Sequence, residues 1–227
     1  MKDAKERHDR KQEFLDTALD LFYEKGYEKT TIKDIINQVG LSKGAFYHYF
    51  ESKEDVIEQI SEAFAEETIY SVKKLSERTD INAVEKINRS IELIQQHKKQ
   101  FKDKRKKIKG AFNSEENLKL QKKILDRLKG RILPYYKRML DEGVTDNLFD
   151  IPDSTELAEF FLLTFDNLSK SIEALESAML DRKTMDEQEF KTALENKLAF
   201  YQEVIERVFK VEKDTFNVRD PFMNRFS

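Results

Sequence analysis

The sequence contains no cysteine and no tryptophan, and it has only three prolines and six glycines in 227 residues. Without cysteine the chain has no disulfide, no thiolate metal site and no cysteine nucleophile, and this absence fits a reducing cytoplasm. A β-sandwich or barrel needs turn residues roughly every eight to twelve positions, so the scarcity of glycine and proline argues against an all-β fold. The composition favours helices.

Long apolar runs and a dominant charge are also missing. The longest aliphatic or aromatic run spans residues 160–163, which is far too short to cross a membrane. The charged opening MKDAKERHDR does not resemble a signal peptide. The 41 basic residues nearly balance 44 acidic ones, for a net charge of −3. We therefore expect a cytoplasmic protein without a membrane partner, in which any contact with nucleic acid comes from a local surface.

Apolar residues recur at helical spacing along most of the chain, which predicts an all-α fold. The predicted helices cover approximately residues 10–25, 31–39, 43–50, 53–76, 82–101, 116–142, 154–180 and 186–210. Pro134 should kink or interrupt the sixth of these helices, and residues 110–115 should form a loop. The tail from residue 214 has three phenylalanines but no period, so we expect it to be irregular.

Residues 32–51, IKDIINQVGLSKGAFYHYFE, have the pattern of a helix-turn-helix. Thr31 and Asp34 form a capping-box-like start for the first helix, Gly40 lies where the chain must reverse, and Ser42 can cap the second helix. The second helix has two distinct faces. Its inward face carries Phe46, Tyr49 and Phe50, and its outward face carries Lys43, Gly44, Tyr47 and His48.

The outward face has the chemistry that a DNA major groove requires. Lys43 can neutralise a phosphate or reach guanine acceptors, Tyr47 can donate to a phosphate, and the His48 ring offers donors or acceptors. Gly44 allows the backbone to approach DNA closely. The alternative is a packed helical corner, because helical hairpins with a glycine turn are common.

Two further residues could support a DNA contact at helix starts. Thr31 offers a hydroxyl and Lys53 a positive charge near backbone phosphates. Residues 1–53 hold ten basic and ten acidic side chains, so the predicted DNA-binding region is neutral. We therefore expect few phosphate contacts and a moderate dependence of binding on salt.

The stretch TTIKDIINQVGLSKGAFYHYFESKEDV, with FYEKGYEKTT before and overlapping it, closely resembles the DNA-binding signature of the TetR family of bacterial transcription regulators. The resemblance covers residues 10–57, and SKGAFYHYFESKE is its most specific part. Downstream, only the layout of the helices is similar. Ile36 departs from the pattern, because the family generally has a small residue there, and a larger side chain can change the tilt between the two short helices.

The resemblance implies a helix-turn-helix DNA-binding domain at residues 1–52 and a larger helical domain for effector binding and dimerisation at 53–227. It implies a homodimer that binds double-stranded DNA at a palindromic operator and is released by a small-molecule effector. Most relatives are repressors. Two rival hypotheses are a helical dimeric interaction protein whose helix-turn-helix is only structural, and a DNA-binding protein with no effector.

The last two long helices are the candidates for dimerisation. The wide apolar face at 154–180 fits a dimer seam, a pocket wall or ordinary core, and the resemblance favours the seam. The predicted interface residues are Leu157, Leu168, Ile172, Leu175, Leu194, Leu198, Tyr201 and Ile205. The candidate pocket is apolar with a few hydroxyl groups, although aromatic residues at this spacing are also typical of core. Its residues are Tyr135, Tyr136, Met139, Phe161 and Phe165.

The basic stretch and the histidines bear on two other classes of site. Residues 98–109 hold eight basic side chains and one acid. This concentration fits a solvated face, a second surface for nucleic acid or an acidic partner, or a site for an anionic ligand such as an acyl-coenzyme A. The three histidines have no metal-binding spacing, and no phosphate-binding or nucleophile motif is present. We expect no catalysis, no metal and no cofactor.

Overall fold

The computed structural model describes residues 2–111, 118–180, 185–224 and 226. This part of the chain is helical and contains no strand, which confirms the predicted all-α class. Ten helices are assigned in it, and their bounds are α1 Lys2–Lys25, α2 Ile32–Val39, α3 Lys43–Tyr49, α4 Lys53–Ser76, α5 Ala83–Gln100, α6 Lys102–Ala111, α7 Leu118–Thr145, α8 Ser154–Leu180, α9 Glu187–Phe209 and α10 Arg219–Met223.

Several helix ends are determined by the local sequence. Thr31 caps α2 in a full capping box with Asp34, as the sequence predicted, and Asp186 caps α9 in the same way with Glu189. Gly40 ends α2 in the left-handed conformation, with φ of 76°, and its N–H donates to the Ile36 carbonyl. Ser42 caps α3 by accepting from the Ala45 N–H.

The chain forms two compact units. The first comprises Met1–Glu67 and Gln100–Leu128, and the second comprises Thr68–Lys99 and Lys129–Ser227. Helices α4 and α7 each contribute residues to both units. The domain boundary predicted between residues 52 and 53 stays a prediction.

An aromatic core holds the first unit together. Phe14 of α1 is fully buried, and its ring centroid lies 5.7 Å from that of Phe46 and 5.9 Å from that of Phe50. Both pairs are edge-to-face, the arrangement that aromatic quadrupoles favour. Ile108 of α6 and Ile124 of α7 join the same core. These contacts hold one face of α3, which carries Phe46, against α1.

The second unit is closed by residues 211–224, which we call the C-terminal strap. Its Phe216, Val218 and Phe222 are buried in the core of the unit. Asn88 of α5 pins the strap by donating to the Thr215 carbonyl at 3.0 Å and accepting from the Asn217 N–H at 2.8 Å. The strap is therefore part of the core.

The structure corrects several predicted elements. The helix predicted over 82–101 ends at Gln100, and a separate helix, α6, begins at Lys102 and extends through Gly110 to Ala111. The rest of the predicted loop, residues 112–115, lies outside the described residues. Pro134 does not interrupt α7. The tail contains the short helix α10, because its apolar rings pack into the core and order the backbone.

None of the helices that the structure describes is both long enough and apolar enough to cross a membrane.

Candidate nucleic-acid interface

Helix α3 is amphipathic, as the sequence predicted. Phe46 and Phe50 are buried, and Tyr49 is half-buried. The four residues predicted to face outward are all exposed: Lys43, Gly44, Tyr47 and His48. Their exposure is confirmed, whereas their contact with DNA stays a prediction.

The exposed face of α3 offers a positive charge beside an aromatic hydroxyl. Tyr47 is 48% exposed, and the Lys43 Nζ lies 5.7 Å from the centroid of its ring. This separation allows a weak cation–π attraction, which orients the two side chains together. Among the described residues the Lys43 ammonium has no ion-pair partner, so its charge is available to a phosphate.

Gly44 is not required by the fold. A Cβ at this position would meet only the Ser42 Oγ at 3.8 Å, an ordinary contact. Gly44 is the second residue of α3 and is exposed. Packing does not require a glycine at this position, which fits a site where another molecule approaches the backbone.

Thr31 is exposed, but its polar groups are engaged in the capping box. Its Oγ1 donates to the Asp34 Oδ2 at 2.8 Å and accepts from the Asp34 N–H at 3.1 Å. Hydrogen bonds from the backbone and side chain of Thr31 hold the pKa of Asp34 below its ordinary value. The main role of Thr31 in the structure is to begin α2.

Lys53 is half-buried and is held by the turn that precedes α2. Its Nζ donates to the Tyr27 carbonyl at 2.8 Å and lies 4.2 Å from the centroid of the Tyr27 ring. One ammonium proton is therefore committed within the protein, and Lys53 fixes the start of α4. Its contact with a phosphate stays a prediction.

Ile36, the residue that departs from the family pattern, packs half-buried against the core of the first unit. Its larger side chain is thus accommodated inside the helix-turn-helix.

The predicted pocket residues form a packed cluster in the second unit. The Tyr136 and Phe161 centroids lie 5.3 Å apart, and those of Phe161 and Phe165 lie 4.6 Å apart. Tyr136, Met139 and Phe161 are buried, while Tyr135 and Phe165 are half-buried. The Tyr136 hydroxyl donates to the Ser90 Oγ at 3.0 Å, and burial raises the pKa of Tyr136 to about 12. A ligand role for these residues stays a prediction.

A separate groove of about 950 Å³ lies in the second unit near the end of α8 and the start of α9. Three of the five methionines in the chain line it: Met179, Met185 and Met223. Methionine adapts its shape to irregular apolar partners. No local sequence pattern indicated this groove, because its methionines lie on three separate segments.

The predicted dimer residues lie mainly inside the protomer. Six of them are at most 7% exposed and belong to its own core: Leu157, Leu168, Ile172, Leu194, Leu198 and Ile205. Leu175 and Tyr201 are half-buried against the same core. These residues pack mainly within their own chain, and a role in a dimer contact stays a prediction for all eight.

Helices α8 and α9 expose other apolar residues, which the sequence analysis missed. Phe160 and Leu163 are exposed on α8, and Phe200 and Val208 on α9. We call these four residues the exposed apolar patch. The Phe161 and Phe209 centroids lie 6.0 Å apart, which places the start of α8 beside the end of α9. A second apolar stripe at helical spacing was the signal that could have identified them.

The basic stretch is partly engaged within the chain. Lys98 donates to the Ser169 Oγ at 2.8 Å, Lys99 donates to the Asn224 carbonyl at 2.7 Å, and Lys107 pairs with Asp20 at 2.5 Å. Within the described part of the chain, no group of three or more histidine, aspartate or glutamate residues is placed to hold a metal ion.

The helix-turn-helix matches a known family. A model described as bacterial regulatory proteins, tetR family, matches residues 14–60. Over 200 residues the chain is 28% identical to YfiR of Bacillus subtilis (strain 168), an uncharacterized HTH-type transcriptional regulator. This match covers 80% of the chain and 95% of YfiR.

A second relative shares only the DNA-binding region. The chain is 43% identical over 49 residues to IcaR of Staphylococcus aureus (strain Newman), the biofilm operon icaADBC HTH-type negative transcriptional regulator. The match covers 22% of the chain and 26% of IcaR.

The fold extends over nearly the whole chain. The solved SmeT–triclosan complex is similar with a TM-score of 0.64 and 18% identity, covering 92% of this chain and 94% of that one. The matched relatives are named as transcription regulators, and the family model covers α2 and α3 with parts of α1 and α4. Residues 14–60 are therefore similar to the helix-turn-helix of the tetR family of bacterial regulatory proteins, and the likeness of fold extends over most of the chain.

Proposed function

We propose that the protein is a homodimeric repressor that binds a palindromic operator through α3 and is released by a small molecule. The observation that carries the DNA contact is the exposed face of α3, which presents Lys43, Gly44 and Tyr47 to solvent. Lys43 would contact phosphates and His48 would contact base edges, because their charge and ring nitrogens suit these partners. The negative regulator IcaR supports a repressor, since it shares this region.

The exposed apolar patch supports the homodimer. Four large apolar side chains on two neighbouring helices are costly in water unless a partner covers them. A second copy of the same patch is the partner that a twofold dimer would supply. Two copies of α3 would then enter successive major grooves roughly 34–36 Å apart, so the operator would be an inverted repeat.

For the effector, we propose an apolar small molecule bound in the second unit. SmeT, a structural relative, was solved with triclosan, which is such a compound. The methionine-lined groove offers adaptable apolar walls, and its size is comparable to that of small-molecule sites. The aromatic cluster around Tyr136 and Phe161 is the alternative location. An effector acts only by binding the DNA-competent and released states with different affinities.

The DNA contact can be tested by selecting operators from random duplex DNA with the purified protein. We expect the wild type to enrich an inverted repeat, and the double variant Lys43→Ala, Tyr47→Ala to enrich none. The matched control is Lys74→Ala, Tyr70→Ala, because Lys74 also lies 5.7 Å from an exposed tyrosine ring, that of Tyr70 on α4. No enrichment by the wild type would favour the rival, a structural helix-turn-helix.

The effector site can be tested by releasing the selected operator with triclosan. Met185→Glu places a charge in the groove, and Tyr135→Glu places one beside the aromatic cluster. Loss of release in Met185→Glu alone would support the groove, and loss in Tyr135→Glu alone would support the cluster. No release of the wild type by triclosan or related apolar compounds would contradict this effector class.

A further inference from the structure

Glu51 lies in the turn between α3 and α4, three residues after His48. Its side chain is exposed. Together with Tyr47 and His48 it lines a groove of about 620 Å³ in the first unit. A carboxylate therefore lies beside the two side chains that are proposed to face DNA.

The turn that carries Glu51 is fixed by hydrogen bonds. The Glu51 N–H donates to the Asp55 Oδ2 at 2.9 Å, and Gln59 donates to the other oxygen of Asp55 at 2.9 Å. The Phe50 N–H closes the last turn of α3 by donating to the Phe46 carbonyl at 3.0 Å. The position of Glu51 is thus defined relative to α3.

The charge of Glu51 is not neutralised within the protein. Among the described residues its carboxylate has no hydrogen-bond or ion-pair partner. The basic residues of the same groove pair with other acids. Lys123 pairs with Glu58 at 2.6 Å, and Arg127 pairs with Glu62 at 2.6 Å. A phosphate that approached this side of α3 would meet an uncompensated negative charge.

We infer that Glu51 is a specificity-determining residue that repels the DNA backbone from one side of α3. The inference rests on the proposed reading of DNA by α3. In the operator complex the phosphates would pass on the other side of the helix. Random duplex DNA binds in many registers, and some of these registers bring phosphates close to Glu51. Repulsion by Glu51 therefore lowers the affinity for random DNA more than the affinity for the operator. Specificity gained by a repulsive group is a difference between two affinities.

The test compares the Kd for random duplex DNA with the Kd for the operator that the wild type selects, over a series of salt concentrations. The variants are Glu51→Gln, Glu51→Lys and the control Glu159→Gln, which makes the same net charge change at an exposed position of α8. Glu51→Gln should tighten random binding about threefold at low salt, because one nearby repulsive charge is removed. Operator binding should change less than about twofold by the same reasoning. Glu51→Lys should tighten the binding of random DNA and of the operator more than Glu51→Gln does. The affinity of Glu51→Lys for random DNA should also depend more steeply on salt.

Three results would overturn this role. The first is a Kd for random DNA that Glu51→Gln leaves unchanged. The second is a decrease of this Kd by Glu159→Gln that equals the decrease by Glu51→Gln. The third is loss of preference for a single C·G pair, which would make Glu51 a base reader, since a carboxylate accepts from cytosine N4. If the wild type bound no duplex, the proposed function would fail together with this role. If the wild type selected an operator and Glu51→Gln left the Kd for random DNA unchanged, the proposed function would stand and only the role of Glu51 would be wrong.

Discussion

Lys86 has the lowest exposure of any charged side chain that the structure describes, at 1%. Its Nζ donates to both carboxylate oxygens of Glu142, at 2.7 and 2.5 Å. A buried ion pair contributes little net stability, but removing one partner leaves the other charge buried and unpaired. The buried charge of Lys86 is therefore tolerated only because Glu142 pairs with it.

Glu142→Ala should lower the free energy of unfolding by about 3 kcal/mol, the low end for a broken buried pair, because Glu142 itself is partly exposed. Lys86→Met removes the charge but keeps the length of the side chain, so it should cost less. Urea denaturation would measure both. The control is Asp141→Ala, which breaks the exposed pair with Lys137 on the same helix. A Glu142→Ala cost no larger than the Asp141→Ala cost would contradict this prediction.

Single residues also show what the sequence could predict and what it could not. The spacing of Phe46, Phe50 and Tyr47 was sufficient to assign the buried and exposed faces of α3, because this helix is short and only one of its faces packs. On α8 the spacing was ambiguous, because both Phe161 and the neighbouring Phe160 lie on apolar stripes. Periodicity does not say which stripe faces the protomer's own core, and Phe161 proved to be the buried one.

At the scale of an element, α7 contains two glycines with opposite structural roles. A Cβ at Gly130 would meet nothing within 4 Å, whereas a Cβ at Gly143 would lie 2.2 Å from the Phe149 ring and 3.1 Å from the Ala83 Cβ. Gly143 is thus required for packing, and Gly130 is not.

The two alanine variants should therefore change stability in opposite directions. Gly130→Ala should raise the free energy of unfolding by about 0.5–1 kcal/mol, through helix propensity. Gly143→Ala should lower it by about 1–3 kcal/mol, because a well-packed core must shift to admit the methyl group. Each variant serves as the other's control in thermal or urea unfolding. An equal change in the free energy of unfolding of the two variants would show that the core can admit a methyl group at position 143 without cost.

Pro134 shows why the continuity of α7 could not be predicted. Proline removes the hydrogen bond to the carbonyl four residues earlier, here that of Gly130, and usually kinks or ends a helix. Pro134 is exposed, while its neighbours Tyr136, Met139 and Leu140 are buried in the second unit. Packing of these residues holds the helical path across the missing bond. This tertiary stabilisation cannot be recognised from the local sequence.

At the scale of the whole molecule, the exposed apolar patch makes the proposed homodimer testable. Phe200 is 63% exposed, so Phe200→Glu should leave the protomer folded but place a charge in the contact. We expect the dimer dissociation constant to rise about 100-fold, the effect of losing a central aromatic contact. Sedimentation velocity over a range of concentrations would measure it.

The control for this experiment is Leu180→Glu, which makes the same type of change at a 74% exposed position outside the patch. A monomeric wild type would contradict the homodimer. Equal weakening by Phe200→Glu and Leu180→Glu would show that the patch is not the contact surface.

The C-terminal strap has a consequence for the order in which the second unit can fold. Phe216, Val218 and Phe222 fill the core of this unit, but they follow α5, α8 and α9 in the chain. These three helices are therefore synthesised before the side chains that complete their core, although domains generally fold as the chain emerges. During this interval the nascent second unit exposes apolar surface, which makes it a candidate client for chaperones.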